Sequence, residues 1–298
     1  MHISVALALC SLLAAHGIRK GSLAPSGAVA AFAVGLVTFV GARDANLLFA
    51  GVLIAFYLLG SKATKYKQER KRQLEEDFRV GGQRTATQVL ANGFTGAAAC
   101  ALHYVLVPNP ALACFGDLSS TASRNHTLLI LLYVGHYACC CGDTFASEIG
   151  VLSASEPVLI TTGKRVPRGT NGGLSPLGVA ASIAGGCVVG LVATAGLPLA
   201  PTCASRLAPR AAMVALGGAG GFIGSMIDSL LGATLQKSVY NTVTAKIAAD
   251  GRALRAGENP AQLRHISGID VLDNHQVNFL SSLATGIVLA LVGLVCYG

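Results

Sequence analysis

The chain has 298 residues, of which 52% are hydrophobic and 12% are charged, and its net charge is +8. An average soluble domain is about 25% charged, so this composition excludes an ordinary soluble globular fold. In a soluble protein the positive charge would suggest a nucleic-acid partner, but aromatic side chains that could stack on bases do not alternate with the basic ones. We therefore expect membrane lipids, and no nucleic acid, as the partners of this surface.

Eight apolar runs, separated by charged or Gly/Pro-rich segments, follow one another along the chain. They cover residues 1–18, 26–40, 45–60, 87–107, 127–141, 174–197, 211–235 and 277–297. A helix of about 20 apolar residues crosses the hydrocarbon core of a bilayer. The expected fold class is therefore all-α: a polytopic helical membrane protein with about eight transmembrane helices, forming a single integral membrane domain over residues 1–298. A cleaved signal peptide is the alternative for the first run, but that run lacks a positive start.

Charge is concentrated in three connections, at about residues 61–86, 142–173 and 236–276. In the eight-helix arrangement one side of the membrane receives 18 basic residues and the opposite side receives four. Because basic residues favour cytoplasmic loops, we expect the three connections to face the cytoplasm or its equivalent, with both termini on the non-cytoplasmic side. The membrane would be that of the endoplasmic reticulum or of another organelle, a plastid included.

The chain contains nine cysteines, most of them inside apolar runs, where a thiol behaves as a small hydrophobic group. No CxxC pair indicates a zinc site. A disulfide framework is not expected. The lone histidines His103 and His136 are expected to be core residues and not ligands.

The first charged connection predicts a solvated helix over residues 61–84, with eight basic and four acidic side chains. Gly81 and Gly82 interrupt it. Polar side chains then follow at i,i+4 spacing into the fourth run and would line one helix face near the membrane entrance. They are Arg84, Gln88 and Asn92. Interhelical hydrogen bonding is the alternative role for them.

The fifth run is followed by an acidic segment, GDTFASEIG, residues 142–150. Asp143 and Glu148 are five residues apart on a continuing helix, so they are offset by about 140°, and Asp143 shares its row with Ser147. A carboxylate at the membrane boundary needs a cation, a basic side chain or a proton pathway as partner. A structural ion pair with Lys164, Arg165 or Arg168 is the alternative.

A Gly-rich basic segment, TTGKRVPRGTNGG, residues 161–173, precedes the sixth run. Helix N-terminal amides and nearby positive charge both favour anions, so this segment predicts a phosphate-binding turn. Its order is not that of a Walker A loop. The residues involved would be Lys164, Arg168, Gly169, Thr170, Asn171, Gly172 and Gly173.

The seventh run places small residues and one acid in a single i+4 row: Gly220, Gly224, Asp228, Gly232 and Gln236. Such rows allow close helix approach, and an acid at membrane depth indicates function. We expect Asp228 to be a second magnesium-holding carboxylate, the alternative being a protonated or hydrogen-bonded packing residue. Three polar residues leading into the last run would close the same site: Asp270, Asn274 and Asn278. Asp273 and His275 are expected to cap that helix or to face water.

These segments together resemble a known membrane family, the one that contains animal transmembrane protein 19 and the plant chloroplast phytyl-phosphate kinase. The motifs that carry the resemblance are GDTFASEIG, LITTGKRVPRGTNGG, GSMIDSLLGATLQ and HISGIDVLDNHQVN, with GSLAPSGA (residues 21–28), SKATKYK (61–67) and GGQRTATQVLANG (81–93). The resemblance covers nearly the whole chain, in order. It implies transfer of a phosphoryl group from a nucleoside triphosphate to an isoprenoid monophosphate.

For that reaction Asp143 and Asp228 would hold Mg²⁺, and Glu148 would orient the metal or the acceptor. Lys164, Arg168 and the backbone of residues 169–173 would bind the triphosphate, ATP or CTP. Arg84 would bind the acceptor phosphate, and the apolar groove between the Gly-rich helices would take the isoprenoid tail. No protein partner is indicated.

Two other functions use the same residues. A transporter or lipid scramblase would use the polar groove for translocation, but no inverted internal repeat is apparent in the sequence. A scaffold without activity would tend to lose the polar intramembrane residues, and this chain has them.

Overall fold

The computed structural model describes residues 2–41, 47–67, 69, 83–197, 203, 207–248 and 259–298. Over these residues the chain forms nine α-helices and two small antiparallel sheets. The helices α1 to α9 are Ile3–Arg19, Pro25–Gly41, Leu47–Lys65, Ala86–Ala91, Phe94–Leu106, Thr121–Gly150, Pro176–Gly196, Leu207–Leu235 and Asn274–Tyr297. Two short 3-10 helices, Pro110–Leu112 and Pro260–Gln262, lie in connections.

Five of the described helices, α3, α6, α7, α8 and α9, are long and apolar enough to cross a membrane. The apolar helices α1, α2 and α5 are shorter, with 17, 17 and 13 residues. The chain is thus a mostly helical, polytopic membrane protein, as predicted, whereas the number of eight spans and their orientation stay predictions. Most of the charged helix predicted over residues 61–84 lies outside the described residues.

The fourth predicted run is not one helix, because it breaks at Asn92 and Gly93 into α4 and α5. The side chain of Asn92 donates to the carbonyl of Gln88 at 3.0 Å, which ends α4 locally. A Cβ at Gly93 would lie 2.9 Å from the carbonyl oxygen of Val89 and 3.0 Å from Val34, so only glycine fits this break. The prediction of one continuous helix was therefore wrong here.

Helix α6 is the centre of the bundle. Its 30 residues span about 45 Å, more than a membrane crossing requires, and it packs against α3, α5, α7, α8 and α9. Tyr133 and Tyr137 on this helix are fully buried, and the Tyr133 hydroxyl donates to the carbonyl of Phe49 at 2.6 Å. Large apolar side chains on the outer helix faces are exposed, such as Leu12, Val29, Leu191 and Val295, as expected for contact with lipid.

Glycines bring the backbones of α6, α7 and α8 into direct contact, in what we call the glycine seam: Gly142, Gly185, Gly186, Gly217 and Gly221. A Cβ at Gly142 would lie 2.8 Å from Cα of Gly221, and one at Gly185 would lie 2.9 Å from the carbonyl oxygen of Cys141. A Cβ at Gly186 would meet the carbonyl oxygen of Gly217. The predicted close approach of the seventh run to its neighbours is confirmed. Backbone atoms fill the space between these three helices, so a groove for an isoprenoid tail does not lie between them.

The all-α prediction was wrong for the connections, which contain the two sheets. Strands β1 (Val158–Leu159) and β2 (Gly173–Leu174) pair with each other, and β3 (Ser238–Asn241) lies between β4 (Lys246–Ile247) and β5 (Leu263–Ser267). Backbone groups outside helices need partners of their own, and pairing within each connection supplies them.

The connections are fixed to the end of α8 by a small apolar cluster. Leu159, Val166 and Ala233 are buried there against Ile160 and Ile266. The strands of both sheets therefore form a platform at the end of the bundle where α6 and α8 terminate.

A disulfide joins Cys114 and Cys203, whose Cα atoms are 5.5 Å apart, so the expectation of no disulfide was wrong. These two are the cysteines outside the apolar runs, and that position was the available signal. Cys114 precedes α6, and Cys203 lies between α7 and α8. The disulfide is thus at the opposite end of the bundle from the sheets.

Substituting Gly186→Ala should destabilise the fold, because the added methyl group overlaps the carbonyl of Gly217 at a rigid backbone contact. Overpacking of this kind costs about 1–3 kcal/mol. The measurement is the thermal unfolding midpoint in detergent. Gly51→Ala is the matched control, because its methyl group would meet only the side chain of Val192 at 3.2 Å. Equal midpoints for the two variants would contradict backbone contact in the glycine seam.

Candidate functional site

A polar cavity of about 480 Å³ lies where the ends of α6, α8 and α9 meet residues 83–92 and the connection before α7. This volume is within the range of small-molecule sites. Its lining includes all of the predicted site residues except two: Arg84, Gln88, Asn92, Asp143, Ser147, Glu148, Arg168, Gly169, Thr170, Asn171, Gly172, Gly173, Asp228, Asn274 and Asn278.

The two exceptions are Lys164 and Asp270, both exposed and neither part of the lining. Lys164 ends a tight turn, in which its carbonyl accepts from the amide of Leu159 at 2.8 Å. Asp270 precedes α9 in an exposed turn and not in a helical row with Asn274. Both residues were predicted to belong to the site, and neither of them lines the cavity.

The carboxylates of Asp143 and Asp228 come from different helices and are close enough to interact electrostatically. Ser281 on α9 donates to Oδ2 of Asp228 at 2.9 Å. The amide of Asn278, in the orientation that satisfies both its polar atoms, donates to the same oxygen at 3.3 Å. Like charges in a partly buried site repel, and a bound cation would remove that repulsion.

The donor set suits magnesium that arrives with phosphate groups. Among the described residues no cluster of three or more His, Cys, Asp or Glu side chains could hold a metal by itself. Mg²⁺ is usually bound by one or two carboxylates together with substrate phosphates and water. Asp143 and Asp228 match that pattern of two carboxylates. They do not form a metal site built from protein ligands alone.

Arg84 is held by its backbone against the turn between α1 and α2. Its amide donates to the carbonyl of Ser22 at 3.1 Å, and the amide of Ala24 donates to the carbonyl of Arg84 at 3.0 Å. A Cβ at Gly27 would collide with the same carbonyl. The two motifs GSLAPSGA and GGQRTATQVLANG are thus parts of one structural unit, a role that sequence reasoning did not assign.

The guanidinium of Arg84 lies 5.7 Å from the ring centre of Phe56 and within electrostatic range of Glu148. Burial lowers the pKa of Arg84, and the charge of Glu148 partly offsets this effect. Because an arginine stays protonated in proteins, Arg84 is a fixed cation at the cavity wall.

Arg84, Gln88 and Asn92 do not form one helical row, so that part of the prediction was wrong. Helix α4 begins at Ala86, after Arg84, and its N-terminal amide at Thr85 donates to the side chain of Gln88 at 3.3 Å. Gln88 and Asn92 therefore make local hydrogen bonds that shape α4. They still line the cavity together with Arg84.

The Gly-rich segment forms a tightly packed wall. Gly169 and Gly172 have φ values of +87° and +78°, and a Cβ at Gly172 would lie 2.5 Å from the carbonyl oxygen of Ser229 on α8. Three of its backbone amides are already used within the protein. Those of Thr170, Asn171 and Gly173 donate to Pro167, Ser238 and Thr170 respectively.

The expected cradle of backbone amides is therefore mostly committed to internal bonds, and side chains are the better anion ligands in this segment. Arg168 donates to the carbonyl of Ala154 at 3.0 Å, while its Nε is buried with no hydrogen-bond partner among the described residues. The helix that follows begins at Pro176, and its cap Ser175 accepts from the amide of Gly178.

Several lining residues were missed by sequence reasoning: Thr64, Thr144, Ser175, Ser225 and Ser229. Hydroxyl side chains are common in membrane helices, so nothing distinguished these ones. The predicted cap of α9 is confirmed, because Asp273 accepts from the amides of His275 and Gln276 at 2.8 Å. His103 and His136 are buried in the core, His136 donating to the carbonyl of Asn92 at 3.0 Å.

Comparison with known proteins places this chain in a family. Protein PGR from Arabidopsis thaliana is 39% identical over 283 residues, which are 94% of this chain and 92% of that protein. An uncharacterized membrane protein from Methanocaldococcus jannaschii is 28% identical over 62% of this chain and 64% of its own length. Protein VTE6, chloroplastic, from Arabidopsis thaliana is 29% identical over 54% of this chain and 44% of its own length. No solved structure matches the chain significantly.

The family model described as Integral membrane protein DUF92 matches residues 8–286, nearly the whole chain. Family membership, predicted from the motifs, is confirmed. The chain belongs to the Integral membrane protein DUF92 family.

Proposed function

We propose that the protein is a membrane-embedded lipid phosphotransferase, an isoprenoid monophosphate kinase that uses ATP or CTP with Mg²⁺. The observation that carries this proposal is the meeting of Asp143 and Asp228, from two helices, in one cavity with Arg84 and Arg168. The resemblance to the family of the plant phytyl-phosphate kinase supports the choice of substrate.

The reaction needs little covalent help from the protein. An oxygen of the lipid monophosphate attacks the γ-phosphorus, a new P–O bond forms, and the bond to the β–γ bridging oxygen breaks. The nucleoside diphosphate leaves with that electron pair. Because the second pKa of a phosphate monoester is about 6, the attacking oxygen is already ionised and no general base is required. Catalysis then rests on positioning and on charge stabilisation.

Each charged residue that lines the cavity has a place in this scheme. Asp143 and Asp228 would hold the magnesium ion, which would neutralise charge on the phosphates when bound. Arg84 binds the acceptor phosphate, with Glu148 orienting its guanidinium, and Arg168 binds the triphosphate. Lys164, expected from sequence to bind the triphosphate, has no part because it lies outside the cavity.

Replacing either Asp143 or Asp228 with Asn should reduce phosphoryl transfer about 100-fold or more, because a preorganised charge contact is lost at the reacting phosphates. The assay incubates purified protein with phytyl or geranylgeranyl monophosphate, Mg²⁺ and labelled ATP or CTP, and measures the lipid diphosphate. Glu156→Gln is the control, since Glu156 is exposed and does not line the cavity.

No diphosphate from the wild type, or the same rate from wild type and Asp143→Asn, would rule the kinase out. Movement of the lipid phosphate between leaflets without product would instead favour the transporter or scramblase.

Replacing each of the two arginines should affect the binding of a different substrate. Arg84→Ala should raise KM for the lipid monophosphate, and Arg168→Ala should raise KM for the nucleotide. Hydrogen bonds to charged groups contribute about 1.5–3 kcal/mol, which corresponds to roughly 10- to 100-fold. Arg165→Ala is the matched control, because Arg165 is exposed and outside the lining. Equal effects of both variants on both substrates would contradict these assignments.

A further inference from the structure

A second cavity, of about 110 Å³, adjoins the polar one on the side of α1, α2 and α3. Its walls are mostly apolar, formed by Leu13, Ala31, Val34, Phe39, Leu53 and Ile54. The two cavities share four lining residues at their junction: Arg84, Gln88, Asn92 and Thr144. A polar site for phosphate groups thus continues directly into an apolar one.

The junction suits the boundary between a phosphate and a hydrocarbon chain. The Arg84 guanidinium lies over the ring of Phe56, which lines the apolar cavity, while Arg84 also lines the polar cavity. A phosphate bound by this cation would direct the first carbons of its ester toward α1–α3.

The space between α7 and α8 has no room for a chain. A Cβ at Gly221 would meet the carbonyl of Ser182, and one at Gly190 would meet that of Met213. With no space for a single methyl group, this part of the bundle cannot hold a lipid tail.

We propose that the apolar cavity between α1, α2 and α3 binds the hydrocarbon segment next to the phosphate of a single-chain lipid monophosphate. The proposal rests on the proposed function for the identity of the headgroup. The cavity is small, about 110 Å³, so it accommodates only a short segment of one chain next to the phosphate. The rest of the chain would continue into the lipid.

The test is photolabelling of the full-length protein in lipid nanodiscs with geranylgeranyl monophosphate that carries a diazirine on the isoprene unit nearest the phosphate. Mapping the adducts by mass spectrometry should place them on α1, α2 and α3, at residues such as Leu13, Leu53 and Ile54. Adducts on α7 or α8 instead would overturn the proposal.

A pair of variants on α2 sharpens the test. Ala31 lines the apolar cavity, whereas Ala33 is exposed on the outer face of the same helix. Ala31→Leu should lower the labelling and raise KM for the lipid monophosphate about tenfold, because the larger side chain would occupy space that the hydrocarbon segment needs. Ala33→Leu should change neither. Equal behaviour of the two variants would count against the proposal.

The labelling does not require phosphoryl transfer, so the two proposals fail separately. Adducts on α1–α3 without any kinase activity would leave this inference standing and remove the proposed function. Kinase activity with adducts elsewhere would support the proposed function and overturn the assignment of the hydrocarbon segment to the apolar cavity.

Discussion

The site depends on direct backbone contact between α6, α7 and α8 at the glycine seam. Gly142, which contacts Gly221 on α8, immediately precedes Asp143. Asp228 lies about two turns after Gly221 on the same helix. Without a hydrophobic driving force between helices in lipid, such small-residue contacts are a main source of association. The packing that holds the bundle together therefore also sets where the two carboxylates meet.

The remaining parts of the cavity are brought in by segments outside the seam. The turn between α1 and α2 fixes Arg84 through two backbone hydrogen bonds, and β1 and β2 hold the Gly-rich segment over the end of α8. Gly172 allows that segment to contact Ser229 and Ala233 directly. Basic and acidic side chains from distant parts of the sequence are thus held around one cavity by backbone contacts. Phosphoryl transfer depends on preorganised charges of this kind.

The sequence predicted the apolar helices and most of the cavity, because lipid requires long apolar runs and makes buried acids conspicuous. Asp143 and Asp228 were recognisable for that reason. The break at Gly93 was not recognisable from the sequence, because it depends on a contact with Val34. The strands in the connections were not recognisable either, because they depend on pairing within short polar segments. Positive charge next to a Gly-rich turn also led to Lys164 being predicted in the site, although the tight turn after β1 directs it to an exposed position. The disulfide was missed because seven of the nine cysteines lie in apolar runs, and the two in connections were not considered as a pair.

We propose that Asp143 and Asp228 would together hold one metal ion, which would neutralise charge on the phosphate groups. Mn²⁺ can replace Mg²⁺ as a spectroscopic probe. The electron paramagnetic resonance signal of free Mn²⁺, compared with that of the same nucleotide solution without protein, measures how much the protein binds. In the presence of a non-hydrolysable nucleoside triphosphate, the wild-type protein should bind Mn²⁺, and Asp143→Asn and Asp228→Asn should each weaken that binding strongly. Binding that is unchanged in either variant would contradict a shared metal site.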